Sequence, residues 1–134
     1  MKKGFTLLEL IIVVIILGVL ATLGFTQYVK VVEKGRTAEA KAILGDIRTA
    51  ENAYYLEYAT YTTLPNLPVG APAVAPACTA TTHYFGYNIV AAAGTFTATA
   101  TRCTSGGKTP NFTGAAYAVT LDQGGNWSGT AGYF

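Results

Sequence analysis

Few side chains in this sequence could support catalysis or hold a metal ion. Its 134 residues include one histidine, His83, and two cysteines, Cys78 and Cys103, and only 12% of the residues are charged. A zinc site ordinarily takes three or four Cys, His or carboxylate ligands, and no Ser/His/Asp or Cys/His set can be assembled around His83. The sequence therefore predicts no enzyme, no metal site and no cofactor, and we interpret His83 as an ordinary residue between a loop and a strand.

The most unusual ionisable residue is Glu9, which directly precedes a long apolar segment. Residues 10–29 carry no charge, and a charged side chain in a bilayer costs about 2.5–3.5 kcal/mol near the centre and less near the edge. A carboxylate at this position needs a partner, so Glu9 is a candidate functional residue. The competing interpretation is that Glu9 only caps the start of a helix, where the helix dipole favours an acidic side chain.

The apolar segment is the element that must position Glu9. As a helix rising ~1.5 Å per residue, residues 10–29 would be ~30 Å long, which matches the hydrocarbon core of a bilayer. The basic leader at residues 1–4 predicts a cytoplasmic N terminus, with the chain outside from about Lys30 onward. A secretory signal peptide fits less well, because its apolar core is usually ~7–15 residues long and ends at a small-residue cleavage site.

Residues 2–23, KKGFTLLELIIVVIILGVLATL, resemble the N terminus of type IV pilins and of their relatives, the type II secretion pseudopilins. The resemblance rests on a short basic leader ending in Gly4, followed by Phe5, Thr6, two leucines and Glu9. It implies that a prepilin peptidase cleaves between Gly4 and Phe5 and methylates the new Phe5 amine. It also implies that Glu9 pairs with the Phe5 amine of a neighbouring subunit during assembly. In a medium of low dielectric constant, such a pair would select one axial register between helices.

Helical periodicity continues beyond the membrane segment, so one helix is expected from about Phe5 to Tyr58. Residues 5–29 would lie in lipid or in the filament core, and Gly18 and Gly24 are its predicted weak points. Many pilins carry a proline where this chain has Thr26. We therefore expect a straighter helix here, with any stretch that melts in a filament between Gly18 and Thr26.

The second half of the helix has one apolar face, formed by Ala40, Ile43, Leu44, Ile47, Ala50 and Tyr54. The pairs Arg36/Glu39 and Arg48/Glu51 are spaced to support the other face. After it, residues 62–82 contain four of the five prolines and predict a long extended loop. Strands are predicted at 83–91, 95–101, 115–121 and 126–130. Residues 30–134 should thus form an α+β head, in which a four-stranded antiparallel meander packs on the helix, as in a pilin fold.

Cys78 and Cys103 lie outside the membrane in this topology, where disulfides persist. They flank a predicted hairpin, so we expect a disulfide that closes a loop of about 25 residues and contributes ~3 kcal/mol. Two free thiols or an intermolecular bond remain the alternatives. A metal site is improbable, because only His83 could assist the pair.

Several weaker motifs remain open. Residues 122–126 read as a hairpin turn rather than a calcium loop, because Asp122 is the only acidic residue after Glu57. N-glycosylation triplets begin at Asn111 and Asn126, and the threonine-rich strand could carry O-linked sugar. An aromatic set suggests electron conduction, although interfacial anchoring by Tyr28 and core packing by the others are favoured: Phe25, Tyr28, Tyr54, Tyr55, Tyr58 and Tyr61.

The predicted function is that of a structural subunit that polymerises into a type IV pilus. It would be inserted once in the inner membrane before assembly, extracted by the pilus assembly machinery, and extracellular afterwards. The alternative is a pseudopilin of a short periplasmic pseudopilus, and a different class is a single-pass binding protein. Cleavage would leave seven basic and seven acidic residues, so DNA binding is possible but unsupported. The sequence does not choose among motility, adhesion, DNA uptake and biofilm formation.

Overall fold

The computed structural model describes residues 4–71, 78–79 and 81–134 of the chain. It contains one long helix, α1 (Leu7–Tyr58), and four strands, β1 (Phe85–Ala92), β2 (Thr95–Arg102), β3 (Ala118–Asp122) and β4 (Trp127–Gly129). The chain divides into two compact units, Met1–Glu33 and Lys34–Phe134. The α+β class and the four-stranded antiparallel sheet predicted from the sequence are confirmed.

The first unit is a helix without a core of its own. It begins at Leu7, two residues later than expected, because residues 4–6 are not helical. The helix is continuous through Gly18, Gly24 and Thr26, and the Thr26 hydroxyl donates to the Leu23 carbonyl at 3.1 Å. By length and composition this helix is apolar enough to cross a membrane.

In the second unit, α1 buries the predicted apolar face against the sheet. Ala40, Leu44 and Ile47 are fully buried, whereas Ile43 and Ala50 are half-buried at the edges of that face. The face is narrow because α1 follows the helical period and only residues at spacings of three and four point inward. The helix ends at Tyr58, as predicted, and Ala59 follows with a left-handed backbone.

The sheet is a meander in which each strand pairs with the next, in the order β1-β2-β3-β4. Thr99 of β2 marks the middle of the sheet, since it stands opposite Asn88 of β1 and Thr120 of β3, which in turn faces Ser128 of β4. The predicted strand boundaries need small corrections. His83 precedes β1, residues 115–117 precede β3, and β4 has only three residues.

Strand β2 alternates as the sequence predicted. Phe96, Ala98 and Ala100 are buried, and the threonines between them face outward. The alternation continues one residue further than expected, because Arg102 occupies the next inward position and is also buried. An arginine therefore completes the inner face of the sheet.

Two expectations about side chains around α1 are wrong. Tyr55 and Tyr58 do not pack in the core but are 38% and 55% exposed. The charged pairs do not lie on the solvent side of the helix: Glu51 is fully buried, and Glu39 accepts a hydrogen bond from the Tyr84 amide at 2.9 Å. Both pairs face the head because its loops extend beyond the apolar face of the helix.

The loop predicted at 62–82 is only partly extended. A single turn of 3-10 helix forms at Leu64–Asn66, and Leu64 and Leu67 are buried. Residues 72–77 and 80 of the predicted loop lie outside the described residues. At the other end of the head, Tyr117 and Tyr133 stack with ring centroids 4.4 Å apart, and Phe112 contacts both rings edge-on.

Candidate assembly site and polar sites of the head

Glu9 lies in the first turn of α1, where Thr6 holds its side chain. The Thr6 amide and hydroxyl both donate to Glu9 Oε2, at 2.9 and 2.7 Å, and the Glu9 amide donates to Thr6 Oγ1 at 3.2 Å. This reciprocal pattern is a capping box, which satisfies backbone donors that a helix start leaves unpaired. Glu9 therefore caps the start of α1, as the competing interpretation expected. Its pairing with a neighbouring subunit during assembly stays a prediction.

The second oxygen of the Glu9 carboxylate has spare capacity. Both donors from Thr6 go to Oε2. Oε1 accepts no hydrogen bond from residues 4–71, 78–79 or 81–134. Phe5 is 90% exposed, and together with Glu9 it lines a shallow groove of about 460 Å³ with Leu10, Ile12 and Val13. Gly4 and Phe5, the predicted cleavage and methylation residues, precede the helix in an accessible stretch.

The apolar side chains that follow Glu9 are exposed in the described part of the first unit. From Leu10 to Leu23 every large apolar side chain is at least 47% exposed. No packing within the first unit removes this surface from water. It is stable only in lipid or against other apolar helices.

The predicted disulfide between Cys78 and Cys103 is confirmed. It links the segment after β2 to the segment before β1. Two backbone hydrogen bonds join the same segments, since the Gly107 amide donates to the Cys78 carbonyl at 2.6 Å and the Lys108 amide to the His83 carbonyl at 2.7 Å. Gly106 must be glycine here. It has a φ of 64°, and a Cβ on it would lie 2.2 Å from the Cys78 carbonyl oxygen.

Arg102 organises the same segment from inside the head. Its guanidinium donates to the carbonyls of Tyr84, Cys103 and Pro110 at 3.0–3.1 Å, and it lies over the rings of Tyr84 and Phe85. Sequence reasoning missed this residue. The signal was the threonine alternation of β2, which placed position 102 on the inner face, but a charged residue is seldom assigned to a core.

A cluster of cations surrounds the Tyr84 ring. Arg36, Arg102 and Lys108 lie 4.8, 5.1 and 4.9 Å from its centroid, within the ~6 Å range of cation–π attraction. The carboxylate of Glu39 lies beside this cluster. Its Oε1 accepts from the Tyr84 amide and lies 3.6 Å from His83 Nδ1. His83 thus sits beside this cluster, and no three metal-ligating side chains come together among the residues that the structure describes.

Glu51 is a buried carboxylate that the sequence did not reveal. Its Oε2 accepts a hydrogen bond from the Thr62 amide at 3.0 Å, which ties the loop after α1 back to the helix. Its Oε1 is buried and unpartnered among the described residues. Burial raises the pKa of Glu51 above its usual 4.5, and the bond from Thr62 offsets part of that rise.

Residues 122–126 form the predicted hairpin turn. The Asp122 carboxylate accepts from the Asn126 side chain and from the Asn126 amide at 2.8 Å, and these bonds lower the pKa of Asp122. Arg48 closes the turn, since its Nε donates to the Gln123 carbonyl at 3.4 Å. The turn therefore satisfies its one carboxylate internally.

The two glycosylation triplets begin at Asn126 and Asn111. The Asn126 side chain donates to the Asp122 carboxylate, and Oδ1 of Asn111 is buried. Glycosylation of either residue stays a prediction that nothing here tests.

Two family models match adjacent parts of the chain. The model described as the prokaryotic N-terminal methylation motif matches residues 1–25. The model described as type IV minor pilin ComP, DNA uptake sequence receptor, matches residues 26–124. The methylation motif coincides with the leader and the capped helix start, and the second match covers the rest of α1 and the sheet as far as the turn after β3.

Individual relatives are also pilus proteins by name. The type IV major pilin protein PilA of Myxococcus xanthus is 34% identical over 93 residues, which cover 69% of this chain and 39% of that protein. The fimbrial protein EcpC of Eikenella corrodens is 33% identical over 94 residues, covering 70% of this chain and 58% of the relative. A shorter stretch of 50 residues is 40% identical to the type IV major fimbrial protein FimA of Dichelobacter nodosus.

The matched region thus spans less than two thirds of each of these relatives. No solved structure matches the chain significantly. The two family models nevertheless cover it from residue 1 to residue 124. The chain therefore belongs to the type IV pilin family.

Proposed function

We propose that this chain is a structural subunit that polymerises into a type IV pilus filament. The observation that carries the proposal is the uncovered apolar helix with an acceptor-bearing carboxylate at its start. Such a helix is stable in the inner membrane and, after extraction, among copies of itself. At about 25 cal/mol per Å², even ~1,000 Å² of buried apolar surface gives ~25 kcal/mol before the costs of association.

The geometry supports a role for Glu9 in pairing with a neighbouring subunit. Two donors of Thr6 converge on Oε2, which lowers the cost of holding a carboxylate near lipid. Oε1 points to no partner in the described residues and can accept from the methylated amine of Phe5 on a neighbouring subunit. That amine exists only after a prepilin peptidase cleaves between Gly4 and Phe5. Processing would thus create the cation that the carboxylate needs.

The test replaces the charge of Glu9 while keeping its shape. Glu9→Gln retains an oxygen that can accept from Thr6, so helix start and membrane insertion should be unchanged. Filament yield should fall at least tenfold, because an ion pair in a low-dielectric environment is lost. Yield is measured from sheared surface filaments against the membrane pool, with Ile16→Leu, outside the groove at Glu9, as the control in the same segment. Normal filament yield from Glu9→Gln would refute this role.

Intact-mass spectrometry of sheared filaments tests the processing step. The subunit should begin at Phe5 and carry one additional methyl group. A chain that begins at Met1 would contradict the proposal. The alternative of a type II secretion pseudopilin is separated by overexpression, because long surface fibres support a pilin and short periplasmic fibres support a pseudopilin.

DNA binding is a second candidate function, favoured by the ComP family match and by the cations around Tyr84. Lys108 is exposed at that cluster and could contact a phosphate. Titration of duplex DNA onto the full chain at several salt concentrations tests it. Lys108→Ala should weaken binding and reduce the slope of log K against log salt by about 0.9. Lys41→Ala, which removes an exposed cation from the Phe134 ring, is the matched control. Equal effects of both variants, or no binding, would count against a site at Tyr84.

A further inference from the structure

A groove that contains several hydroxyl and amide side chains lies on the outer face of the sheet, away from α1. It has a volume of about 600 Å³, within the ~300–1,000 Å³ usual for small-molecule sites. Its floor is a block of paired residues on β1 and β2, in which Gly86 faces Thr101 and Asn88 faces Thr99. Its wall is the segment after β2, with Thr104 and Ser105. Since Gly86 has no side chain, the floor is recessed at that position.

The polar side chains of the groove are available to a ligand. Asn88, Thr99, Thr101, Thr104 and Ser105 make no side-chain hydrogen bond to residues 4–71, 78–79 or 81–134. Further along the same face, by contrast, the hydroxyls of Thr120 and Ser128 are 2.6 Å apart and pair with each other. The groove therefore collects one amide and four hydroxyls with their donors and acceptors free.

The walls of the groove are built in advance of any ligand. The Cys78–Cys103 disulfide ties the wall segment to the segment before β1, and the Gly107 amide donates to the Cys78 carbonyl. Gly106 packs so closely on Cys78 that no larger residue fits. A site held in this way loses little conformational entropy on binding.

The groove offers no free charge. Among the described residues that line it, Arg102 is the only cation, but it is 1% exposed and its guanidinium donates to three backbone carbonyls. An anion or a cation would therefore lose its hydration without gaining a counter-charge. A neutral ligand rich in hydroxyl groups matches both the donors and the acceptors.

We propose that this groove binds a neutral sugar residue of a glycan. Binding at one groove is a property of the head alone and does not require polymerisation. If the chain also forms filaments as proposed above, many grooves along one fibre would raise the avidity by presenting sites together. Failure of sugar binding and failure of polymerisation are therefore distinguished by separate experiments.

The test is an NMR titration of the full ¹⁵N-labelled chain in phosphocholine micelles, which contain no sugar headgroup. The probes are methyl glucoside, methyl galactoside, N-acetylglucosamine and cellobiose, with glucuronate and inorganic phosphate as charged comparisons. We expect at least one neutral probe to shift the amides of Asn88, Thr101 and Ser105, with dissociation constants on the order of millimolar. The charged probes should bind more weakly than their neutral counterparts.

Two variants and one control locate the site. Gly86→Ala fills the recess with a methyl group that stands 3.7 Å from Cys78 Sγ, an ordinary contact, so the fold is kept and binding should be lost. Thr101→Val removes one hydroxyl at constant shape and should weaken binding about two- to tenfold. Thr97→Val makes the same change on the same strand and face, outside the groove, and should leave binding unchanged.

Three results would overturn the proposal. One is the absence of groove shifts with every neutral probe at its solubility limit. Another is equal weakening by Thr101→Val and Thr97→Val, which would indicate nonspecific contact with the threonine face. The third is an added sugar mass on the native chain at Thr99, Thr101, Thr104 or Ser105. That result would make the groove a site of covalent attachment rather than of reversible binding.

Discussion

Replacing Arg102 with methionine should remove a large part of the stability of the head. Arg102 is buried, and its guanidinium donates to the carbonyls of Tyr84, Cys103 and Pro110. Methionine fills the stem of the side chain but donates nothing, so three hydrogen bonds are lost, although the Tyr84 and Cys103 carbonyls still accept from the Cys103 and Phe112 amides. At about 1–1.5 kcal/mol for each, the loss should be about 3–5 kcal/mol. A domain is stable by only roughly 5–15 kcal/mol.

The assay is urea unfolding of the full chain in micelles, followed by the near-ultraviolet circular dichroism of the packed rings of Phe112, Tyr117 and Tyr133. Arg102→Lys keeps the charge but cannot reach three carbonyls at once, because it lacks the planar fork of arginine. It should fall between wild type and Arg102→Met. The control Lys108→Met removes an exposed cation from the Tyr84 ring and should cost about 0.5–1 kcal/mol. A loss below about 1 kcal/mol for Arg102→Met would refute the reasoning, because the loss of three hydrogen bonds from a charged donor should cost more than that.

Three further changes test the packing of the head in the same assay. The double variant Cys78→Ser and Cys103→Ser, which opens a loop with a separation of 25 residues, should lose about 3 kcal/mol of unfolding free energy. Unchanged stability would contradict a stabilising role of the disulfide. Because the pKa of Glu51 is raised in the folded state, its ionisation costs stability above that pKa, and the cost disappears as the pH falls below about 4.5. Glu51→Gln should therefore raise the unfolding midpoint at pH 7 but not at pH 4, and a gain of equal size at both pH values would exclude charge burial as the cause. Leu44→Ala should cost about 2–5 kcal/mol, whereas Leu56→Ala on the exposed side of α1 should cost less than about 0.5 kcal/mol.

Much of this protein could be predicted from its sequence because the relevant signals are local. The apolar run, the basic leader and the position of Glu9 are adjacent in the chain, so they predicted the membrane segment and the family resemblance together. The helical period of α1 depends only on residues three or four apart, and burial of Leu44 confirms it. The alternation of β2 depends only on residues two apart, and burial of Phe96 confirms it. The disulfide was predictable because only two cysteines are available.

The tertiary structure alone decided how the polar residues of the head are used. Arg102 was hidden from sequence reasoning because its guanidinium donates to backbone carbonyls, which carry no residue-type signal. Glu51 was assigned to the solvent side of α1, since nothing local shows that the loop at Thr62 returns to cover it. The groove around Gly86 likewise exists only because a disulfide brings the segment after β2 over the sheet. Burial of a polar group depends on which residues from distant parts of the sequence pack around it, and those contacts form only in the folded tertiary structure.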